Sequence, residues 1–158
     1  MHSVLIDTNL LLLLVVGSCD KKLILSHKRT NVFVPEDFDL LVECIDGYDV
    51  LWVTSHCLAE TSNLIRQTHK DKAQELMIHF SNWIANTKES HISKGIVFKD
   101  GIVTRIGITD TAIIIKSRHV DCVYTVDVEL YLEISRRGYK AINFNHLRPE
   151  KYFAQKIG

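Results

Sequence analysis

Short apolar runs alternate along the chain with longer stretches in which apolar residues recur at helical spacing. The run Val4–Ile6 stops at Asp7, and a second run, Leu10–Val16, is apolar on nearly all sides. We interpret the first as a buried strand and the second as a buried helix. Further strands are predicted at Val50–Val53, Cys122–Thr125 and Lys140–Asn143. Continuous apolar strands separated by helices indicate the α/β fold class, a three-layer α/β/α arrangement with a central parallel sheet covered on both faces.

Capping residues and breakers mark where the helices are expected to begin and end. Pro35 suits a helix start, and Gly47 suits the end of the same helix. Four more helices are predicted: one capped by Thr54 or Ser55, one over Asp71–Asn86, one capped by Thr109, and one over Val128–Arg137 that Gly138 closes. Residues 87–108 are predicted as loops with a short strand, and a terminal helix is predicted after His146.

The composition is that of one globular domain, which we expect to span residues 1–158. The 19 basic and 19 acidic side chains give a formal net charge of zero, which argues against a wholly basic nucleic-acid binder. The two halves differ, since residues 1–80 carry seven basic and eleven acidic residues and residues 81–158 carry twelve and eight. A local basic face can therefore still attract a polyanion.

The cysteines and the longest apolar run bear on location. Cys19, Cys44, Cys57 and Cys122 form no CxxC pair and show no Cys/His spacing typical of a zinc site. Their scatter predicts reduced thiols in a cytoplasmic protein. The run Leu10–Gly17 is far shorter than the roughly 20 residues of a membrane-spanning helix, so we expect no membrane association. We expect it to pack within the subunit or in a homodimer interface.

Four acidic residues stand where a parallel sheet would bring them together. Asp7 and Asp127 each follow a predicted strand, Asp110 stands at a predicted helix start, and Glu60 interrupts an apolar helical stretch. Ligand sites of such sheets lie beyond the carboxyl ends of the strands, where these helices also begin. We therefore expect the four carboxylates to converge on one pocket.

Clustered carboxylates repel one another unless a cation neutralises them. A set of oxygen ligands without Cys or His favours the hard ions Mg²⁺ and Mn²⁺. Such an ion polarises a phosphate oxygen and activates water for hydrolysis of a phosphodiester bond, and two ions would clamp the attacking and leaving oxygens. The sequence thus predicts a Mg²⁺- or Mn²⁺-dependent hydrolase.

The segments that carry these acids resemble a known family. Leu-Ile-Asp7-Thr-Asn9, Leu-Ala-Glu60, Gly-Ile-Thr-Asp110 and Tyr-Thr-Val-Asp127 resemble, in order, the motifs of PIN-domain ribonucleases, which include the VapC-type toxins. The resemblance covers roughly residues 3 to 144. It implies a PIN-like fold, a metal-dependent endoribonuclease acting on RNA, and a biological setting as the toxin of a toxin–antitoxin module with a protein antitoxin as partner. An RNA-processing or defence nuclease is the other setting.

The resemblance also assigns roles to individual residues. It implies that Asp7, Glu60, Asp110 and Asp127 are the catalytic, metal-binding acids. It gives supporting roles to Asn9, which would orient a ligand or water, to Thr125, whose hydroxyl would lie near the site, and to Glu129, a further acid. The basic cluster of Arg136, Arg137 and Lys140 has two interpretations, a weak RNA contact or a solvated helix end that complements the dipole.

Other interpretations stay open on the sequence alone. Each aspartate also suits a helix cap or first turn. Residues 18–49 lengthen the segment between Asp7 and Glu60 beyond that of the small toxins, as a lid, a partner surface or an insertion. A phosphatase of the haloacid dehalogenase type would need a second aspartate where Asn9 stands, which disfavours it. A non-catalytic PIN-like module that binds RNA or protein is the remaining alternative.

Overall fold

A parallel five-stranded sheet forms the centre of the computed structural model, which describes residues 1–68 and 70–149. The strands are β1 (Ser3–Ile6), β2 (Val50–Thr54), β3 (Lys88–Ser90), β4 (Cys122–Thr125) and β5 (Ala141–Asn143). Their order across the sheet is β3-β2-β1-β4-β5, and every neighbouring pair is parallel. The predicted α/β class with a central parallel sheet is therefore confirmed.

Helices cover this sheet. They are α1 (Thr8–Cys19), α2 (Leu23–Ser26), α3 (Pro35–Asp46), α4 (Ser55–Arg66), α5 (Lys70–Ile84), α6 (Lys94–Val97), α7 (Val103–Ser117) and α8 (Val128–Arg136). Pro35 begins α3 and Gly47 caps its end, as predicted. The Thr54 hydroxyl caps α4 by accepting a hydrogen bond from the Cys57 N–H.

Alternate side chains of each central strand enter two separate cores. In β1, Val4 and Ile6 pack into a large apolar cluster with residues of α1, α3 and α5, whereas Leu5 packs into a second cluster with residues of α7 and α8. Because successive side chains of a strand point to opposite faces, helices lie on both sides of the sheet. The result is three layers.

Helix α1 lies inside the larger core. The predicted buried helix is confirmed, since every residue from Leu10 to Val16 is fully buried within the chain. This leaves no part of that run for a homodimer interface. Gly17 permits the close approach of α3, because a Cβ at this position would lie 2.2 Å from the Phe38 ring. Among residues 1–68 and 70–149, no helix combines the length and apolar character that crossing a bilayer requires.

Residues 18–49 contribute to the same core. Ile24 of α2, Leu41 of α3 and Phe33 between these helices are buried in the larger cluster. Within this segment the apolar patch that begins at Leu23 forms the short helix α2. Asp37 of α3 forms a buried ion pair with Arg148 at 2.8 Å, which joins this segment to the end of the described chain.

The segment from residue 87 to 109 differs most from expectation. Its short strand is confirmed as β3, but α6 and the first turn of α7 replace predicted loops. Helix α7 is broken at Gly107, whose φ is 86° and ψ 176°, so its second part begins close to the predicted start at Thr109. The predicted capping role of Thr109 is wrong, because its hydroxyl donates to Glu60. The predicted helix after His146 falls mainly on residues 150–158, which lie outside the described residues. A 3-10 turn spans Phe144–His146.

Candidate functional site

The order of the strands places a switch point between β1 and β4, and the space outside the carboxyl ends of these two strands is here called the crevice. From β1 the chain continues to β2 and β3 on one side, and β4 and β5 then lie on the other side of β1. The connections that follow β1 and β4 therefore leave the sheet in opposite directions. In open parallel sheets, ligands bind at such a switch point, outside the carboxyl ends of the strands. Asp7 directly follows β1, and Asp127 lies two residues after β4.

Asp7 is held by backbone and side-chain donors from α1 and from the end of β4. Its Oδ1 accepts the Leu10 N–H at 3.0 Å, which caps α1. Its Oδ2 accepts a short hydrogen bond from the Thr125 hydroxyl and a second from the Val126 N–H at 3.2 Å. Asp7 is only 4% exposed. The carboxylate therefore sits at a fixed position at the mouth of the crevice.

Thr125 connects the two strand-ending aspartates. Its hydroxyl donates to Asp7 and accepts the backbone N–H of Asp127 at 3.0 Å. The Asp127 side chain caps α8 by accepting the Leu130 N–H at 2.9 Å, and the residue is exposed. The expectation that a hydroxyl at position 125 lies beside the acids agrees with these contacts.

Glu60 and Asp110 come from two helices that touch beside the crevice. Glu60 is exposed on α4, and its Oε2 accepts the Thr109 hydroxyl at 2.9 Å. This bond links α4 to the part of α7 that follows the kink at Gly107. Asp110, the next residue along α7, is half-buried. Thr109 was expected to cap a helix, but its hydroxyl positions Glu60 instead.

The electrostatics show that the four carboxylates act on one another. Burial is the main cause that raises the pKa of Asp110 to about 7, and the negative charges of Asp127, Asp7 and Glu60 contribute to the same shift. Burial also raises the pKa of Asp7; its hydrogen bonds oppose this shift, and the charge of Asp127 adds to it. The structure thus brings all four acids selected from the sequence into one repulsive cluster, here called the carboxylate cluster.

The rim of the carboxylate cluster contains a cation that sequence reasoning missed. Glu129, in the first turn of α8, adds to the negative potential at Asp110. Arg105 forms an ion pair with Glu129 at 2.9 Å, and both side chains are more than half exposed. Arg105 lies in the segment expected to be loop, so no periodicity indicated its position. Asn9 is exposed on the first turn of α1, two residues after Asp7.

The basic cluster lies at the other edge of the sheet. Arg136 is the last residue of the nine-residue helix α8, and Arg137 caps its end, whereas Asp127 caps its start. Lys140 precedes β5. A helix of this length separates its ends by roughly 14 Å. Arg137 also bonds Asp100 at 2.6 Å and Glu133 at 2.9 Å, and Arg136 bonds Glu133. The structure does not bring these three residues to the carboxylate cluster.

The donors of the carboxylate cluster fit a hard divalent cation. Its ligand atoms are all carboxylate oxygens, which Mg²⁺ and Mn²⁺ prefer. Burial and then repulsion by the neighbouring acids raise the pKa of Asp110, and a cation would offset both effects. The acids are spread rather than tightly packed. Within the described ranges, the one set of three Cys, His, Asp or Glu donors that lie within 4.8 Å of one another is elsewhere, at Cys19, Glu75 and His79.

Comparison with known proteins adds no relative. No protein-family model matches the chain, and no curated protein matches it. The chemistry of the carboxylate cluster therefore rests on its residues alone.

Proposed function

We propose that this protein is a Mg²⁺- or Mn²⁺-dependent endoribonuclease with a PIN-like fold. The observation that carries the proposal is the carboxylate cluster at the switch point of the sheet, where Asp7 is buried and where burial, together with the negative charges of the other acids, raises the pKa of Asp110 to about 7. Repulsion among these carboxylates does not stabilise the fold, so a structural role does not explain why they lie together. The arrangement supports a site that binds a divalent cation and, through it, a phosphate group.

Asp7, Asp110, Asp127 and Glu60 would hold the ion, which when bound supplies a Lewis acid that polarises a phosphate oxygen and activates water. Asp7 gives the site its fixed point, because three hydrogen bonds determine the orientation of its carboxylate. Thr125 keeps Asp7 and the Asp127 backbone in register. Thr109 of α7 orients Glu60 of α4 by donating a hydrogen bond to its carboxylate. The negative charges of the other three acids all act on Asp110.

RNA is the proposed substrate, and single-stranded or looped RNA enters such a crevice more easily than a stiff duplex. The net charge of zero provides little general attraction for a polyanion, so binding would depend on the cation and on local basic groups. Arg105 at the rim is the basic side chain best placed to contact a phosphate beside the carboxylate cluster. The toxin setting, the antitoxin and a homodimer stay predictions from the sequence.

Cleavage of a panel of labelled RNAs tests the proposal. The full chain is incubated with Mg²⁺, Mn²⁺ or EDTA, beside Asp7→Asn and a control, Asp46→Asn, which changes an exposed aspartate in the last turn of α3. We expect cleavage that needs the metal, survives Asp46→Asn and disappears in Asp7→Asn. No cleavage together with no Mn²⁺ binding would contradict the proposal. RNA binding without cleavage would favour the non-catalytic binding module.

A further inference from the structure

A second group of metal-ligating side chains lies at the far end of α1 from Asp7. Cys19, Glu75 and His79 place one sulfur, one carboxylate oxygen and one imidazole nitrogen within 4.8 Å of one another. Cys19 is the last residue of α1, whose first turn Asp7 caps. A helix of 12 residues is roughly 18 Å long, so the two clusters are well separated. We call this group the thiol cluster.

Two packed helices supply the three donors. Glu75 and His79 are four residues apart on α5, and this spacing places both side chains on the same face of the helix. Cys19 reaches them from α1, where its sulfur lies 3.2 Å from Glu75 Oε1. The other carboxylate oxygen, Oε2, accepts from Lys72 at 3.1 Å. Lys72 therefore orients the carboxylate while leaving Oε1 directed at the thiol.

The donor set differs in kind from that of the carboxylate cluster. A thiolate, an imidazole and one carboxylate suit a borderline or soft transition metal such as Zn²⁺ rather than Mg²⁺. A dication also complements the negative end of the α1 dipole, where Cys19 stands. A cavity of about 300 Å³ borders His79 and is lined by Ser18, Asn82, Trp83 and Asn86 as well. It gives room for water as the fourth ligand, beside three from the protein.

We propose that Cys19, Glu75 and His79 form a Zn²⁺-type site that clamps the end of α1 to α5. Binding exchanges the proton of the Cys19 thiol for a metal–sulfur bond, and that proton passes to the buffer. The thiolate and the Glu75 carboxylate then balance the two positive charges of the ion. The site is independent of the carboxylate cluster and of the nuclease proposal, since it shares no residue with either.

Titration of the full reduced chain with Co²⁺, followed by Zn²⁺ displacement, tests the proposal. Co²⁺ bound to a thiolate gives a sulfur-to-metal charge-transfer absorption that oxygen ligands alone do not give. We expect this absorption in the native chain and its loss in Cys19→Ser. We also expect the Zn²⁺ affinity to fall at least about tenfold in Cys19→Ser and in His79→Gln, because even the loss of a residue that only supports a metal ligand has an effect of that size. Zn²⁺ should displace Co²⁺ from the native chain.

Matched controls exclude general effects of losing a thiol or an imidazole. Cys44→Ser changes another half-buried cysteine, and His119→Gln changes an exposed histidine at the end of α7. Both should keep the native absorption and affinity, as should Asp7→Asn. Absence of the charge-transfer absorption in the native chain would overturn the proposal. So would a Zn²⁺ affinity that Cys19→Ser and His79→Gln leave unchanged, or that the controls reduce equally.

Discussion

Two buried aspartates of this protein have opposite surroundings. Asp37 of α3 is completely buried, forms an ion pair with Arg148 at 2.8 Å, and accepts the Val34 N–H at 2.9 Å. Asp7 is nearly as buried, but its partners are neutral donors, and the charge of Asp127 acts on it. Both carboxylates accept hydrogen bonds, so hydrogen bonding does not distinguish the two residues. They differ in the sign of the nearest charge, which is positive at Asp37 and negative at Asp7.

This difference separates an acid that supports the fold, Asp37, from the acid that we propose serves a site, Asp7. The Arg148 guanidinium neutralises Asp37 from within the chain, and the pair joins α3 to the residues after β5. At Asp7 the neighbouring charges are themselves negative, so neutralisation has to come from outside the chain. Burial of a carboxylate alone therefore does not identify a metal site.

The largest expected effect follows from breaking the pair at Asp37. Asp37→Asn removes the carboxylate that forms a buried ion pair with Arg148, and loss of one member of such a pair lowers the free energy of unfolding by about 3–5 kcal/mol. Asp7→Asn should cost about 1 kcal/mol or less, because asparagine also caps helices and the neighbouring repulsion falls. Urea denaturation of both variants measures this contrast. Equal losses would remove the distinction between the two acids.

A smaller effect of opposite sign is expected at Asp110. Its pKa is raised in the folded state to about 7 from 3.8, so ionisation opposes folding increasingly as the pH rises through this interval. Asp110→Asn should therefore stabilise the chain at pH 8 in EDTA, by about 1–3 kcal/mol after allowance for solvent screening at this half-exposed residue. Near pH 3 the gain should vanish. Thermal unfolding across this pH range measures it, and a variant less stable than the native chain at pH 8 would contradict the repulsion.

The smallest expected effect concerns Arg105, the basic residue at the rim of the carboxylate cluster. Arg105 is exposed and pairs with Glu129, unlike the buried Arg148. If Arg105 contacts a phosphate, Arg105→Gln should weaken RNA binding severalfold and reduce its salt slope by about 1. The comparison variant is Arg136→Gln at the opposite edge, which should bind as the native chain does. Fluorescence anisotropy at several salt concentrations measures RNA binding by both variants. A larger loss of affinity in Arg136→Gln than in Arg105→Gln would indicate that RNA binds at the basic cluster instead.

The sequence predicted the fold well where one local pattern dominates. The apolar run before Asp7 and the all-apolar helix after it leave few other structures, and Pro35 and Gly47 mark both ends of α3. The kink at Gly107 was not predictable in the same way, because a single glycine with positive φ between two isoleucines gives no periodic signal. Its consequence, the bond from Thr109 to Glu60, was missed with it.

The convergence of the four acids could be predicted because strand ends in a parallel sheet share one edge. The thiol cluster could not, since Cys19 and Glu75 are 56 residues apart and meet only through the packing of α1 on α5. The spacing patterns typical of zinc sites detect ligands that are close in sequence, so they did not identify Cys19 with Glu75 and His79. The pairing of Asp37 with Arg148, across 111 residues, was missed for the same reason.

Binding of Mn²⁺ to the native chain and to Asp7→Asn, measured by calorimetry at pH 8, tests most directly whether the carboxylate cluster is a cation site. Cys19→Ser as the background for both proteins removes binding at the thiol cluster. We predict that the parent binds Mn²⁺ and gains about 2.7 kcal/mol of stability at a free concentration 100 times the Kd, and that Asp7→Asn abolishes both. Equal Mn²⁺ binding by the two proteins, or none by the parent, would contradict the account.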